Sequence, residues 1–127
     1  MCAKSLLLVF GIILGLSHLS LSQNWETFQR KHITNKTNIN CNKVMYDKLF
    51  FIGNQCKILN TFIYSTADTV QDICSGLRSS TSFELTDCFR TSNNSPPCPY
   101  RSYSEDNVIS VRCERTLPIH FVRKGRC

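Results

Sequence analysis

Cys56-Lys57-Ile58-Leu59-Asn60-Thr61-Phe62 is the stretch on which the reading of this chain turns. From Lys57 to Tyr64, β-branched and aromatic residues dominate, so the segment reads as a strand with a lysine at its start. Far to either side lie His32 and His120, the only histidines beyond residue 22. Two imidazoles and one lysine are what a metal-free phosphodiester transfer needs. One imidazole can act as base and the other as acid, while the ammonium faces the charge growing on phosphorus.

Outward from this strand, the pattern first becomes helical. Trp25, Phe28 and His32 recur at helical spacing behind Asn24, a plausible N-cap, which predicts a short amphipathic helix with His32 on or beside its apolar face. Val44, Tyr46 and Leu49 suggest a second short helix from about Asn42 to Lys48. Ser65 and Asp68 resemble a capping box, with Val70, Ile73 and Leu77 on one face of a third helix and Gly76 as its C-terminal cap. After Ser80 the pattern changes to strands: Ser82 to Phe89, Tyr100 to Tyr103, Val108 to Glu114 and Ile119 to Val122. Pro96, Pro97 and Pro99 mark a tight turn around Cys98. Helices early and strands late predict one α+β domain, three short helices packed on an antiparallel sheet.

The first 22 residues read differently from the rest. Lys4 precedes the apolar run Leu6 to Leu16, and Ser20 and Ser22 hold the small-residue positions of a cleavage site. We expect a secretory signal over 1–22, a domain over 23–127 beginning at Gln23, an extracellular destination and no transmembrane segment. That domain carries 14 basic and nine acidic residues, a net charge of +5 that suits RNA, an anionic cell surface or plain solubility. It also carries seven cysteines, the pattern of a disulfide-stapled secreted domain. Their spacing lacks the paired Cys-x-x-Cys of a zinc site, and no metal or cofactor is expected. Spacing leaves the pairing open, and an odd count leaves one thiol over. Asn35-Lys36-Thr37 and Asn93-Asn94-Ser95 are sequons.

Taken together, Gln23-x-Trp25-x-x-Phe28-Gln29-x-Lys31-His32-Ile33, Cys56-Lys57-x-x-Asn60-Thr61-Phe62-Ile63, Cys113-Glu114 and Pro118-Ile119-His120-Phe121 resemble the pancreatic-type ribonuclease superfamily, and within it the compact amphibian branch. The resemblance covers the whole of 23–127. It implies a disulfide-stapled fold with three short helices on a bent antiparallel β-sheet. It also implies an endoribonuclease that cuts single-stranded RNA 3′ of pyrimidines through a 2′,3′-cyclic phosphate. His32, Lys57 and His120 would be catalytic, with Gln23 (cyclised to pyroglutamate), Lys31, Thr61, Glu114 and Phe121 as substrate contacts. The bridges it implies are Cys41–Cys88, Cys56–Cys98 and Cys74–Cys113.

The chain departs from that branch twice. Ser110 stands where relatives have the partner of the C-terminal cysteine, so Cys127 is expected unpaired, in a monomer or as the link of a dimer. The segment between Cys74 and Cys88 is short, which bears on the leaving-side base and on rate. Host defence or cytotoxicity fits such an enzyme. A different class of function, a sialoglycan-binding lectin or a cationic antimicrobial acting without catalysis, fits the same charge.

Overall fold

The computed structural model describes residues 23–48, 50–52, 55–76, 81–92 and 96–126. The expected signal, Leu49, Leu77, the Asn93 sequon and Cys127 lie outside them. Helix α1 runs Trp25–His32, and Asn24 caps it by accepting the Thr27 N–H at 2.8 Å. Trp25, Phe28 and His32 form a ladder of rings along its inner face, with centroids 5.8 and 5.1 Å apart. At its end the chain straightens into β1, Ile33–Thr34. Two carbonyls left unpaired by that ending are taken by side chains from elsewhere: Asn60 donates to the Lys31 carbonyl and Lys48 to that of Arg30.

Helix α2 (Cys41–Asp47) follows, then the short pair β2 (Phe51–Ile52) and β3 (Gln55–Cys56). Strand β4 is Leu59–Tyr64, and α3 (Ala67–Gln71) continues into a 3-10 turn over Asp72–Ser75. The cap of α3 is Thr66 rather than the expected Ser65. The Thr66 hydroxyl accepts the Thr69 N–H, and the Ser65 hydroxyl turns instead to the Thr66 carbonyl. Gly76 ends the turn at φ +81, a left-handed conformation suited to glycine.

Four long strands complete the fold: β5 (Phe83–Arg90), β6 (Tyr100–Asn107), β7 (Ile109–Glu114) and β8 (Leu117–Lys124). The main sheet has the order β1-β4-β5-β6, while β7 and β8 form a separate hairpin. All these ladders are antiparallel except β1 with β4, which is parallel over Ile33↔Ile63 and Thr34↔Tyr64 and makes the sheet mixed. Strand β8 packs against α1, which brings His120 towards His32.

Alternation along β4 divides the interior. Phe62 joins Met45, Phe50 and the Cys41–Cys88 bridge on one face; Ile63 joins Phe28, Val70, Leu85 and Val111 on the other. Truncating Phe62 to alanine removes a ring that is 1% exposed, a change that costs about 3–5 kcal/mol. The bridges are Cys41–Cys88, Cys56–Cys98 and Cys74–Cys113, which staple α2 to β5, β3 to the turn before β6, and the 3-10 turn to β7. Buried Ser110 donates to the Gly125 carbonyl at 2.7 Å and so ties the end of β8 back to β7.

Candidate active site

Between α1, β4 and β8 lies a cleft of about 490 Å³. His32, Lys57 and His120, the first and last of them 88 positions apart in the sequence, line it together. Gln23, Lys31, Thr61 and Phe121 are in its wall as well.

His32 is the most constrained of these groups. It is buried, with Phe121 stacked on its ring at 5.2 Å and Phe28 tilted against it. Nδ1 lies 2.8 Å from the Thr61 carbonyl oxygen. A carbonyl can only accept, so the proton sits on Nδ1 and the Nε2 lone pair is left over. Burial is the largest influence on its acidity and lowers its pKa from 6.5 to about 4. The Thr61 bond opposes that shift, and Lys57, Lys31 and His120 add to it. His32 is therefore a neutral imidazole over the physiological range.

Lys57 is held by Asn60. Its ammonium donates to Asn60 Oδ1 at 2.9 Å, while Asn60 Nδ2 donates to the Lys31 carbonyl at 2.8 Å. These two partners fix the orientation of the amide, since an ammonium only donates and a carbonyl only accepts. The Phe50 ring lies 5.0 Å below the same ammonium. Desolvation at the cleft wall, reinforced by Lys31, lowers the Lys57 pKa.

His120 differs from His32 in being exposed, and among the described residues its ring has no hydrogen-bond partner. Its pKa is still lowered from 6.5, by desolvation in the cleft and then by Arg112, Lys31 and Lys57. Arg112 is its register partner across the β7–β8 hairpin, and the same guanidinium donates to the Gln23 side-chain oxygen.

Thr61 donates its hydroxyl to Asp87 Oδ1 at 2.6 Å, and Asp87 Oδ2 accepts from Lys124 at 2.6 Å. Burial works against the charge of Lys124, but Asp87 and Glu105 outweigh it and raise its pKa. The cleft thus offers a lone pair, a second imidazole and a fixed cation around one space. Among the described residues, no three His, Cys, Asp or Glu side chains are grouped to hold a metal ion.

A family model of pancreatic ribonuclease matches residues 23–122. The chain belongs to the pancreatic ribonuclease family. Its activity is that of a ribonuclease. Oocytes ribonuclease of Aquarana catesbeiana is 58% identical, covering 100% of this chain and 99% of its own. Protein P-30 of Lithobates pipiens is 41% identical over 83% of this chain and all of its own length. Among solved structures, cytotoxic ribonucleases from Rana catesbeiana complexed with d(ApCpGpA) and (2′,5′CpG) align with a TM-score of 0.68 at 35% identity, over 83% of this chain and 99% of theirs. Zebrafish RNase5 aligns with a TM-score of 0.70 at 28% identity, over 77% and 91%.

Set against this family frame, one expected contact is missing from the cleft. Glu114 is exposed at the β7 end, next to the hairpin turn, and does not line the wall. Strand β7 ends there, so the side chain falls beyond the cleft. Conversely, Asp87, Arg112 and Lys124 were invisible as site residues, because only strand register brings them to Thr61 and His120. The aspartate preceding Cys88 was the one usable signal, since the bridge of that cysteine fixes where the strand lies.

Proposed function

We propose that this chain is a secreted endoribonuclease that cuts single-stranded RNA 3′ of pyrimidines without a metal. The observation that carries this is the Nδ1–H of His32 committed to the Thr61 carbonyl, which leaves Nε2 as the basic atom in a cleft shared with Lys57 and His120. Nε2 removes the ribose 2′-hydroxyl proton, and the oxygen attacks phosphorus. Lys57, aimed by Asn60, faces the non-bridging oxygens as their charge grows. His120 as imidazolium protonates the departing 5′-oxygen, which releases a 2′,3′-cyclic phosphate. In the second step His120 takes a proton from water and His32 returns one to the 2′-oxygen.

The lowered pKa values suit this sequence of events. Cations of the cleft push both imidazoles towards neutrality, and the phosphodiester brings a negative charge that offsets them. His120 is thereby protonated more readily when RNA is bound than when the cleft is empty.

Thr61 reads the base. Its carbonyl points to His32, and in an extended strand the N–H of the same residue leaves by the same edge. That N–H is available to pyrimidine O2, with the hydroxyl beside it for N3. Phe121 stacks on His32 and supplies apolar surface to the base, and Lys31 and Gln23 border the phosphate end. The match to the pancreatic ribonuclease model and to Oocytes ribonuclease supports RNA as the substrate class. The start of the family match at residue 23 supports removal of 1–22 before secretion.

Cleavage of UpG, CpG and ApG by residues 23–127, and by His32→Ala and His120→Ala, tests the assignment. Each variant is expected to lose at least about 100- to 10,000-fold in rate, the usual range for one proton transfer. Retention of activity in either, or equal cleavage of ApG, would sink the reading.

A further inference from the structure

The face of the sheet that carries Thr61 does not end at the cleft. Leu59, Phe89 and Arg101 are directly opposed across β4, β5 and β6, two residues along from Thr61, Asp87 and Tyr103. Side chains two apart on a strand share a face, so the two rows lie side by side, about 7 Å apart. Leu59 is 47% exposed and Phe89 36%, and neither belongs to either half of the core. Among the described residues, the Phe89 ring has no aromatic partner and the Arg101 guanidinium no hydrogen bond or ion pair. We propose that this row is a further nucleotide site, which stacks the base preceding the pyrimidine and holds the phosphate that joins the two. The inference rests on the pyrimidine-cutting reading above and adds a contact upstream of the cut.

The path of the RNA follows from what surrounds the cleft. The leaving nucleotide departs with its 5′-oxygen past His120, on the β7–β8 hairpin. The strand 5′ of the pyrimidine therefore runs the other way, over the sheet. In one direction that face is closed, because Ile63 and Leu85 of the next row are buried with Phe28, Val70 and Val111. In the other it opens at Leu59, which lines the cleft together with Lys57 and Thr61. The row of Leu59, Phe89 and Arg101 is thus the first surface that the upstream nucleotide meets.

Its chemistry suits that occupant. An aromatic face stacks on any base, and the leucine beside it widens the apolar shelf. A guanidinium forks onto phosphate oxygens and keeps its charge at every physiological pH. The shelf is also rigid before RNA arrives. Phe89 follows Cys88, which is buried and bridged to Cys41, and the next N–H, that of Arg90, donates to the Ile58 carbonyl at 2.8 Å. The Arg90 guanidinium donates to the Cys56 carbonyl at 2.9 Å and pins the chain before β4 to β5. Little order is lost on binding, so even an exposed ring contributes.

The test uses residues 23–127 with UpG, ApUpG and the same trinucleotide carrying an abasic first ribose. The parent chain should cleave ApUpG with a kcat/KM about 5- to 10-fold above that of the abasic form, mostly through KM. Phe89→Ala should bring these two within about twofold and leave UpG unchanged. Arg101→Gln should lower both trinucleotides alike by about 2- to 5-fold, again sparing UpG, with the larger effect at low salt. Cleavage of UpG also reports folding. If Phe89→Ala loses it, Phe89→Thr, which keeps a strand former, carries the result. Equal cleavage of the two trinucleotides by the parent chain, or a ratio unchanged in a folded Phe89 variant, overturns the stacking site alone. An unchanged ratio, with binding to phosphatidylserine vesicles that Phe89→Ala abolishes, would assign the row to a membrane instead. Cleavage of ApG as fast as UpG overturns the pyrimidine reading and this one with it.

Discussion

His32 and His120 face one cleft from two very different settings. His32, at the end of α1, is 9% exposed, bonded through Nδ1 to β4 and enclosed by Phe28 and Phe121. His120 stands exposed in the β7–β8 hairpin, its ring without a hydrogen-bond partner among the described residues. The difference matches the tasks assigned to them. A base must present one nitrogen to a hydroxyl whose place is set by the bound pyrimidine, so it gains from fixed aim. An acid must follow an oxygen that moves away, so it gains from latitude.

Lys57 belongs to both halves, and its removal is the strongest way to break the comparison. Lys57→Met is expected to lower kcat by about 100- to 1,000-fold with a smaller change in KM. Because Lys57 lowers the pKa of both histidines, both limbs of the pH–rate profile should also move to higher pH. A variant that shifts only one limb would show that the two imidazoles do not share this cation.

Acid titration measures how tightly His32 is enclosed. Its pKa is about 4 folded and 6.5 unfolded, so the unfolded chain takes up the proton first as pH falls. The contribution to stability is complete above pH 6.5, is lost between 6.5 and about 4, and then levels off. Its size is about 3 kcal/mol. Urea unfolding at pH 7.5 and pH 4.5 should show this loss in the parent chain and not in His32→Gln, which keeps an N–H for Thr61. Equal losses in both would place the acid sensitivity elsewhere. In catalysis, kcat/KM should trace a bell with its acidic limb near 4 and its basic limb below 6.5. The basic limb of kcat should lie higher, since bound phosphate favours protonated His120.

A smaller effect is expected at the hairpin that carries His120. Ser110→Ala removes the bond to the Gly125 carbonyl and should cost about 1 kcal/mol, read as a lower urea midpoint. Activity with UpG should survive it, because Ser110 does not line the cleft.

Much of this arrangement is legible in the sequence. The Trp25–Phe28–His32 spacing with Asn24 ahead of it reports α1 because cap and apolar stripe agree locally. Strand β6 reads short, as Tyr100 to Tyr103, yet runs to Asn107. Its Ser104–Asn107 end is polar, and only pairing with β5 holds it extended. Strand β8 reads as Ile119 to Val122 but spans Leu117–Lys124. Pro118, which usually interrupts a strand, sits beside a register shift where its missing N–H is tolerated. Parallel β1 is too short for any periodicity to announce it. The proposed catalytic trio was legible as residue types, whereas Asp87 and Lys124 were not, because their meeting depends on three strands aligning.

The carbonyl and the hydroxyl of Thr61 leave one residue in different directions, the first to the imidazole of His32 and the second to Asp87. On the proposed mechanism, aiming the chemistry and judging the nucleotide therefore hang from a single hinge pin. A lineage in search of a new diet would find that position closed, since redrawing its lettering also disturbs the machinery behind it.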